Sequence, residues 1–171
     1  LLYQWYSNTT NSTTGGTLLT GATSSSYTPL TTTAGTLYYY CIVSATGSGC
    51  GTATSTTAEV IVIADPSITT NPVSPASAVC VGGTVGSISV VATGGTPTLL
   101  YQWYSNTTNS TTGGTLLTGA TSSSYTPLTT TAGTLYYYCI VSATGSGCGT
   151  ATSTTAAVTV AADPSISGNP V

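Results

Sequence analysis

The stretch Leu135–Gly149, LYYYCIVSATGSGCG, sets three tyrosines directly before one cysteine and places a second cysteine nine positions after the first. The same letters occur at Leu37–Gly51. Side chains alternate between the two faces of a β-strand, so Tyr137 and Cys139 would share one face. The glycines of Thr144–Gly147 predict a tight turn. We therefore interpret the stretch as a β-hairpin, and neither as a catalytic cysteine site nor as a metal site.

The composition of the chain excludes most catalytic and nucleic-acid-binding functions. Its 171 residues include no Lys, Arg or His, and its only acidic residues are Glu59, Asp65 and Asp163. Without His and Lys, the chain cannot form a Ser-His-Asp triad, a Cys-His pair or a Schiff base. Without Lys and Arg, it cannot neutralise the phosphates of nucleic acids or anionic lipids. We therefore predict that the protein is not an enzyme and has no catalytic residues, no cofactor and no nucleic-acid partner.

Hydrophobicity and residue usage indicate a folded protein that is exposed outside the cell. Hydrophobic residues make up 40% of the chain and the mean hydropathy is +0.30, which is enough for a packed core. No apolar run approaches the roughly 18 residues that span a bilayer, so we expect no direct membrane insertion. The absence of Lys, Arg and Met removes trypsin cleavage sites and one common oxidative lesion. These features suit an extracellular location on the cell surface.

An internal repeat dominates the sequence. Leu1–Val73 matches Leu99–Val171 at an offset of 98 residues, with five exceptions. The differing pairs are Glu59/Ala157, Ile61/Thr159, Ile63/Ala161, Thr69/Ser167 and Thr70/Gly168. A period near ~100 residues is too long for a solenoid repeat and fits a whole small domain. The chain is therefore expected to contain tandem copies of one domain.

The local signals of the complete repeat are all those of β-strands. Ser87–Thr93, SISVVAT, alternates apolar and polar side chains, which is typical of a strand buried on one face. Leu100–Tyr104, LYQWY, is predicted as a strand with Tyr101 and Trp103 on one face, and Leu135–Ala143 as another strand. Turn signals recur every ~8–12 residues, and no segment has helical periodicity. The predicted fold class is therefore all-β, in the form of a β-sandwich.

The order of the aromatic residues and the cysteine resembles that of the immunoglobulin-like fold. A Trp in an early strand is followed by GATSSSY and then by YYYC. This resemblance implies that Trp103 and Trp5 are the core tryptophans of strand C. It also implies that Tyr137 and Tyr39 form tyrosine corners, in which the hydroxyl bonds to backbone near the turn before strand F. The chain is thus predicted to consist of tandem immunoglobulin-like β-sandwich domains.

The sequence ADPSI marks the domain boundaries, because it recurs at Ala64–Ile68 and Ala162–Ile166 directly after apolar runs. An Asp-Pro pair in this position predicts a strand end followed by a linker. We expect residues 1–64 to be the C-terminal part of a repeat (strands C to G), 65–162 to be a complete repeat and 163–171 to begin a further repeat. The strands missing from the first copy belong to a longer array or, in the alternative interpretation, come from another chain.

Longer motifs of the repeat carry a more specific resemblance. The segment YQWYSNTTNSTTGGTLLTGATSSSYTPLTTTAGTLYYYC, with VCVGG at Val79–Gly83 and GCGTATS at Gly147–Ser153, resembles the Ig-like tandem repeats of giant cell-surface adhesins of gliding Bacteroidota, the SprB-type. The resemblance implies type IX secretion and display on the cell surface. It implies the role of a structural stalk segment in a large secreted adhesin or filament, for adhesion or gliding motility. The alternative function is a carbohydrate-binding Ig-like module of a secreted hydrolase.

The cysteines are disulfide candidates: Cys80, Cys139 and Cys148 in the complete repeat, with Cys41 and Cys50 in the first copy. The usual immunoglobulin bridge needs a cysteine about a dozen residues before Trp103, where this chain has Ala92. Four pairings stay open: Cys80–Cys148, Cys80–Cys139, Cys139–Cys148 and a bridge between adjacent domains. We prefer Cys80–Cys148 within one domain, because both residues lie in the family-like motifs VC-x-GG and GCG.

Metal binding and cysteine catalysis are not expected. Zinc takes four nitrogen or sulfur ligands, whereas one repeat offers three thiols and no His. No cationic side chain is present that would lower the pKa of a thiol and activate it as a nucleophile. We therefore interpret the cysteines as structural disulfides or buried thiols.

The tyrosines that alternate with the core residues define a candidate contact patch. If Tyr137 and Cys139 point inward, their neighbours on the same strand point outward, as do the outer side chains of strand C. The patch comprises Tyr104, Tyr136 and Tyr138 in the complete repeat, with Tyr6, Tyr38 and Tyr40 in the first copy. The simpler interpretation is cross-strand packing. The functional one is contact with surface glycans or other filament chains, in addition to the neighbouring identical repeats as partners within the chain.

Overall fold

The computed structural model describes residues 1–167, and all of its regular structure is β. The part of the chain that it describes contains no helix long and apolar enough to cross a membrane. Two compact units are present, and the division falls between Ala64 and Asp65. Of the segment 163–171, which the sequence predicts to begin a further repeat, residues 168–171 lie outside the described residues.

Unit 1, residues 1–64, is a single antiparallel sheet. Its strands are β1 (Leu2–Asn8), β2 (Thr17–Leu18), β3 (Gly35–Ser44), β4 (Thr52–Thr54) and β5 (Ala58–Val62). They are ordered β2-β1-β3-β4, and β5 also pairs with β3. In this register Trp5 lies opposite Cys41. The strands correspond to C′, C, F and G of an immunoglobulin-like sheet.

Unit 2, from Asp65 onward, is a two-layer sandwich. Its strands are β6 (Ser67–Thr70), β7 (Val79–Cys80), β8 (Ile88–Ser89), β9 (Val91–Thr93), β10 (Leu99–Asn106), β11 (Thr115–Leu116), β12 (Ser124–Tyr125), β13 (Gly133–Ala143), β14 (Ala151–Thr152) and β15 (Ala156–Ala161). One layer is ordered β11-β10-β13-β15-β7, with β14 also on β13, and the pairs β6–β9 and β8–β12 form the other. Only the β15–β7 pairing is parallel among the described residues. This order, with A, B and E facing C′, C, F and G, defines an immunoglobulin-like sandwich.

The hydrophobic core of unit 2 lies between its two layers. The core cluster comprises Val85, Ile88, Val90, Trp103, Tyr137, Cys139, Val141, Ala156 and Val158. Ile88 and Val90, which the alternation in SISVVAT places on one face, are 3% and 2% exposed. Because the cluster draws side chains from both layers, the removal of its apolar surface from water holds the layers together.

Unit 1 reproduces the register of the larger sheet without the second layer. Trp5 lies opposite Cys41 as Trp103 lies opposite Cys139. The unit contains no counterparts of β6–β9, because those strands precede the Trp-bearing strand in the repeat. Trp103 is 0% exposed, whereas Trp5 is only partly buried, and its Nε1 donates to the Ser24 carbonyl oxygen at 2.9 Å. Identical local sequence therefore gives different burial in the two units.

Candidate functional site

The outer face of the larger sheet carries a stacked tyrosine pair. The ring centroids of Tyr104 and Tyr138 are 5.2 Å apart and the rings are 9° from parallel. A Cβ built on Gly114 would lie 2.7 Å from the Tyr138 hydroxyl oxygen, so the loop backbone rests directly against the ring. Tyr138 is 3% exposed, and so is Tyr40, its counterpart in unit 1. The expectation that Tyr40 and Tyr138 belong to an accessible patch is wrong. The loop between β1 and β2 covers Tyr40, and the loop between β10 and β11 covers Tyr138.

The loop that covers these tyrosines is held in shape by an amide side chain. Asn106 Nδ2 donates to the carbonyl oxygens of Ser110 and Thr112, at 3.1 and 3.0 Å. Its Oδ1 accepts the backbone N–H of Thr108 at 3.2 Å. Asn8 makes the equivalent bonds in unit 1. The sequence NTTNSTTGG therefore folds as a closed cover, and its Thr-rich composition carries no signal for that role.

We expect Gly114→Ala to destabilise unit 2 by about 1–3 kcal/mol, because overpacking forces neighbouring groups to shift. The added methyl carbon would overlap the Tyr138 ring and lie 3.0 Å from the Ser105 carbonyl oxygen. Gly86→Ala is the matched control, since a Cβ there meets nothing within 4 Å. Urea unfolding followed by circular dichroism measures both variants. Equal unfolding midpoints would contradict the covering role of the loop.

The other tyrosines of the predicted patch differ in surroundings between the copies. Tyr38 donates its hydroxyl hydrogen to Glu59 Oε1 at 3.0 Å, and this hydrogen bond raises the pKa of Tyr38. In unit 2 the residue opposite Tyr136 is Ala157, which offers no such acceptor. The partly buried members of the patch are Tyr6, Tyr38, Tyr104 and Tyr136. The two copies therefore do not present the same chemistry on their outer faces.

Tyr137, the inward tyrosine of the YYYC motif, belongs to a row of aromatic rings in the core. The ring centroids of Tyr137 and Tyr125 are 5.6 Å apart, and those of Tyr125 and Trp103 are 6.1 Å apart. Tyr137 is 3% exposed, and burial raises the pKa of Tyr137 and of Tyr125. In unit 1, Tyr39 stands beside Tyr27 in the same way. Packing positions these tyrosines, and a corner hydrogen bond from their hydroxyls stays a prediction.

All five cysteines are free thiols. Cys139 is 0% exposed and lies opposite Trp103, and its burial raises the pKa of the thiol to about 11. At the position where an immunoglobulin domain usually has the partner cysteine, Ala92 packs against the core. Cys139 and its counterpart Cys41 are therefore small core side chains, and neither is part of a bridge.

The preferred pairing Cys80–Cys148 is wrong for a single domain, because the two residues lie at opposite ends of the sandwich. Cys80 pairs with Ala161, next to the start of β13 at Gly133. Cys148 lies in the turn beyond the other end of β13. At ~3.3 Å per residue, that strand separates the two ends by about 33 Å. A disulfide needs Cα atoms within about 7 Å, and Cys139, between the ends, is also a free thiol.

The chain enters and leaves unit 2 at opposite ends. Asp65 Oδ1 accepts the backbone N–H of Gly149 at 2.8 Å, so the linker begins beside the turn that contains Cys148. The last strand ends at Ala161, beside Cys80. We call the end with Asp65 and Cys148 the leading pole and the end with Ala161 and Cys80 the trailing pole. Domains with this arrangement lengthen a chain when they are joined in tandem.

Three polar side chains fasten the first segment of unit 2 to the backbone of residues 149–157, and no sequence motif indicates this role. In addition to the hydrogen bond that Asp65 accepts, Asn71 Oδ1 accepts the Thr154 N–H at 2.9 Å. Ser74 Oγ accepts the Ala157 N–H at 2.8 Å. These partners are more than 80 residues apart in the chain, so no local pattern reports the contacts.

The trailing pole also has a shallow apolar cavity of about 250 Å³, lined by residues that include Leu128, Leu135, Tyr137, Val158 and Val160. Unit 1 has a similar cavity of about 150 Å³, lined by the matching residues of its own strands. Within residues 1–167, no group of three or more His, Cys, Asp or Glu side chains could hold a metal ion. Apart from Thr and Tyr hydroxyls, the side chains that line the two cavities are apolar.

The strand order and the core of unit 2 define the class as an immunoglobulin-like β-sandwich module. A family described as "Domain of unknown function (DUF8696)" matches residues 69–162, more than half of the chain. The chain therefore belongs to that family. The match begins within β6 and ends one residue after β15, so the family unit is the complete sandwich. No curated protein matches the chain.

Among solved structures, "Sidekick-1 immunoglobulin domains 1-5" is similar over 99% of this chain, with 16% sequence identity and a TM-score of 0.42. The chain spans 36% of the length of that structure. A likeness at this TM-score carries no weight, so the fold assignment depends on the strand order and register described above. An immunoglobulin-like fold is compatible with a structural or adhesive module and is a non-catalytic type of domain.

Proposed function

We propose that the chain is a structural stalk segment of a large surface-displayed repeat adhesin or filament. The observation that carries the proposal is the position of the chain ends of unit 2, with Asp65 at the leading pole and Ala161 at the trailing pole. Copies joined through the same Asp-Pro linker would add length at each step. The function is then mechanical, and the chain carries out no reaction.

Two further observations support a stalk. The pairing of β1 with β3 in unit 1 has the same register as the pairing of β10 with β13 in unit 2, as expected for nearly identical sequences. A spacer needs such uniform domains, whereas a ligand site needs only one competent copy. The chain has few charged residues and no Lys or Arg, so it also gives proteases of trypsin specificity no target.

The adhesive and gliding roles, the type IX secretion and the cell-surface location rest on the motif resemblance to SprB-type adhesins. The immunoglobulin-like fold supports the coarser role of a structural or adhesive module. The alternative of a carbohydrate-binding module has less support, because Tyr40 and Tyr138 are buried beneath loops and are not available to stack on a sugar. Glycans or other filament chains remain proposed partners of the larger protein.

A chain that is extended by one further copy of residues 65–162 after Ala162 tests the stalk. Small-angle X-ray scattering should show that the maximum dimension grows by about 33 Å or more, the length of the longest strand. The unextended chain is the control. Growth of less than half this value would mean that consecutive domains fold back on one another, and the stalk would have to be abandoned.

A further inference from the structure

Each pole of unit 2 carries one cysteine outside the core. Cys80 is exposed and Cys148 is half-buried, whereas Cys139 is fully enclosed. Unit 1 has Cys50, the counterpart of Cys148, exposed in its own turn. It has no counterpart of Cys80, because the strand that carries Cys80 precedes strand C in the repeat. Each complete repeat thus offers one accessible thiol at each pole.

The linker connects these two poles over a very short path. Cys80 is paired with Ala161 in the parallel ladder, where neighbouring strands lie about 4.8 Å apart. Asp163 follows two residues later, a span of at most about 7 Å. In the same Asp-Pro motif at the start of unit 2, Asp65 binds the N–H of Gly149, the residue directly after Cys148. The counterpart of Cys148 in a following copy would therefore lie close to Cys80.

We propose that, in tandem copies of this repeat, Cys80 of one copy forms a disulfide with the counterpart of Cys148 in the next copy. The inference rests on the end-to-end order of the proposed stalk. The bond would be a second covalent link between consecutive domains, beside the Asp-Pro linker, and it would restrict bending between them. It would give a role to the two thiols of each domain that lie outside the core, Cys80 and Cys148. Each copy would contribute one sulfur to the junction on either side.

The reaction is a thiol–disulfide exchange with a small disulfide oxidant such as oxidised glutathione. The thiolate of Cys80 attacks one glutathione sulfur and forms a mixed disulfide, which releases one reduced glutathione. The second cysteine then attacks the mixed disulfide at the Cys80 sulfur and releases the other. The two protein thiols are oxidised, the oxidant is reduced to two thiols, and the two protein protons end on glutathione. No metal is needed.

The test uses the full chain extended by one copy of residues 65–162 after Ala162. Cys50→Ser, Cys148→Ser and the same change at the added copy's counterpart of Cys80 leave one accessible thiol on each side of the new linker. After treatment with oxidised glutathione, chymotrypsin digestion and mass spectrometry should find Cys80 linked to the added copy's counterpart of Cys148. Chymotrypsin is required because the chain has no Lys or Arg. Most of the chains should carry the link and stay monomeric on a non-reducing gel.

The extended chain with Cys80→Ser is the matched control, and it should show neither the linked peptide nor the loss of two thiols. If oxidation gave glutathione adducts or disulfide-linked dimers of whole chains and no link from Cys80 to the added copy, the proposal would be overturned. Small-angle X-ray scattering by the same chain in its reduced form tests the stalk independently of the disulfide. A long particle without the link would reject the disulfide and leave the stalk, whereas a compact particle would reject the stalk itself. Oxidation in ~6 M urea should lower the yield of the link, since folded domains hold the thiols together.

Discussion

Replacing Trp103 with alanine is expected to lower the free energy of unfolding of unit 2 by about 3–5 kcal/mol. The side chain is 0% exposed and its ring lies beside that of Tyr125. Its Nε1 donates to the Ser122 carbonyl oxygen at 2.9 Å. The substitution leaves a cavity between the layers and removes the partner of that carbonyl group. Differential scanning calorimetry of the whole chain measures the loss as a shift of the unit 2 transition.

The repeat provides the control for this experiment in the same molecule. Trp5 has the same neighbours in sequence and the same register, but it is only partly buried. Trp5→Ala should therefore cost less than half as much as the substitution at Trp103. A loss at Trp5 equal to that at Trp103 would mean that the second layer contributes little to the burial of the tryptophan.

In the folded protein at pH 8, Cys139 is expected to react with iodoacetamide at least ~100 times more slowly than an ordinary exposed thiol. The thiolate is the reactive form, and burial raises the pKa of Cys139 to about 11. Closure of the core adds a steric barrier to this chemical one. Mass spectrometry of chymotryptic peptides after short pulses of reagent measures the rates at Cys139 and at the exposed Cys80.

The same burial makes the stability of unit 2 sensitive to alkaline pH. The pKa of Cys139 is raised in the folded state, so the unfolded chain loses its proton first as the pH rises. The stabilising contribution is complete below the pKa of the unfolded thiol, near ~8.5, and is lost as the pH rises through about 11. Rapid labelling of Cys139 under native conditions at pH 8, with labelling in urea no faster, would contradict its place in the core.

Much of the sandwich could be predicted because its signals are local. Alternation in SISVVAT placed Ile88 and Val90 on one face, and both are buried. The glycines of Thr144–Gly147, which predict a turn, lie between β13 and β14. These features depend on residues that are neighbours in the chain.

The predictions that failed concern contacts between distant parts of the chain. Strand alternation correctly turned Tyr138 away from the core, but a loop held by Asn106 buries it from the other side. Motif positions suggested a bridge between Cys80 and Cys148, but the parallel pairing of β7 with β15 carries Cys80 to the far pole. Neither result is encoded in the spacing of the residues concerned.

The sequence by itself determined the all-β class and the internal repeat, because alternation and turn signals report directly on strands and a repeat is visible in the letters themselves. The tertiary structure alone decided which tyrosines are accessible, that Cys139 is a free core thiol, and that the remaining thiols of a domain lie at opposite poles. Those properties follow from strand order and loop packing, in which residues more than 80 positions apart become neighbours. The hairpin LYYYCIVSATGSGCG thus contains one thiol in the core, Cys139, and one at the leading pole, Cys148, and only the fold distinguishes the two.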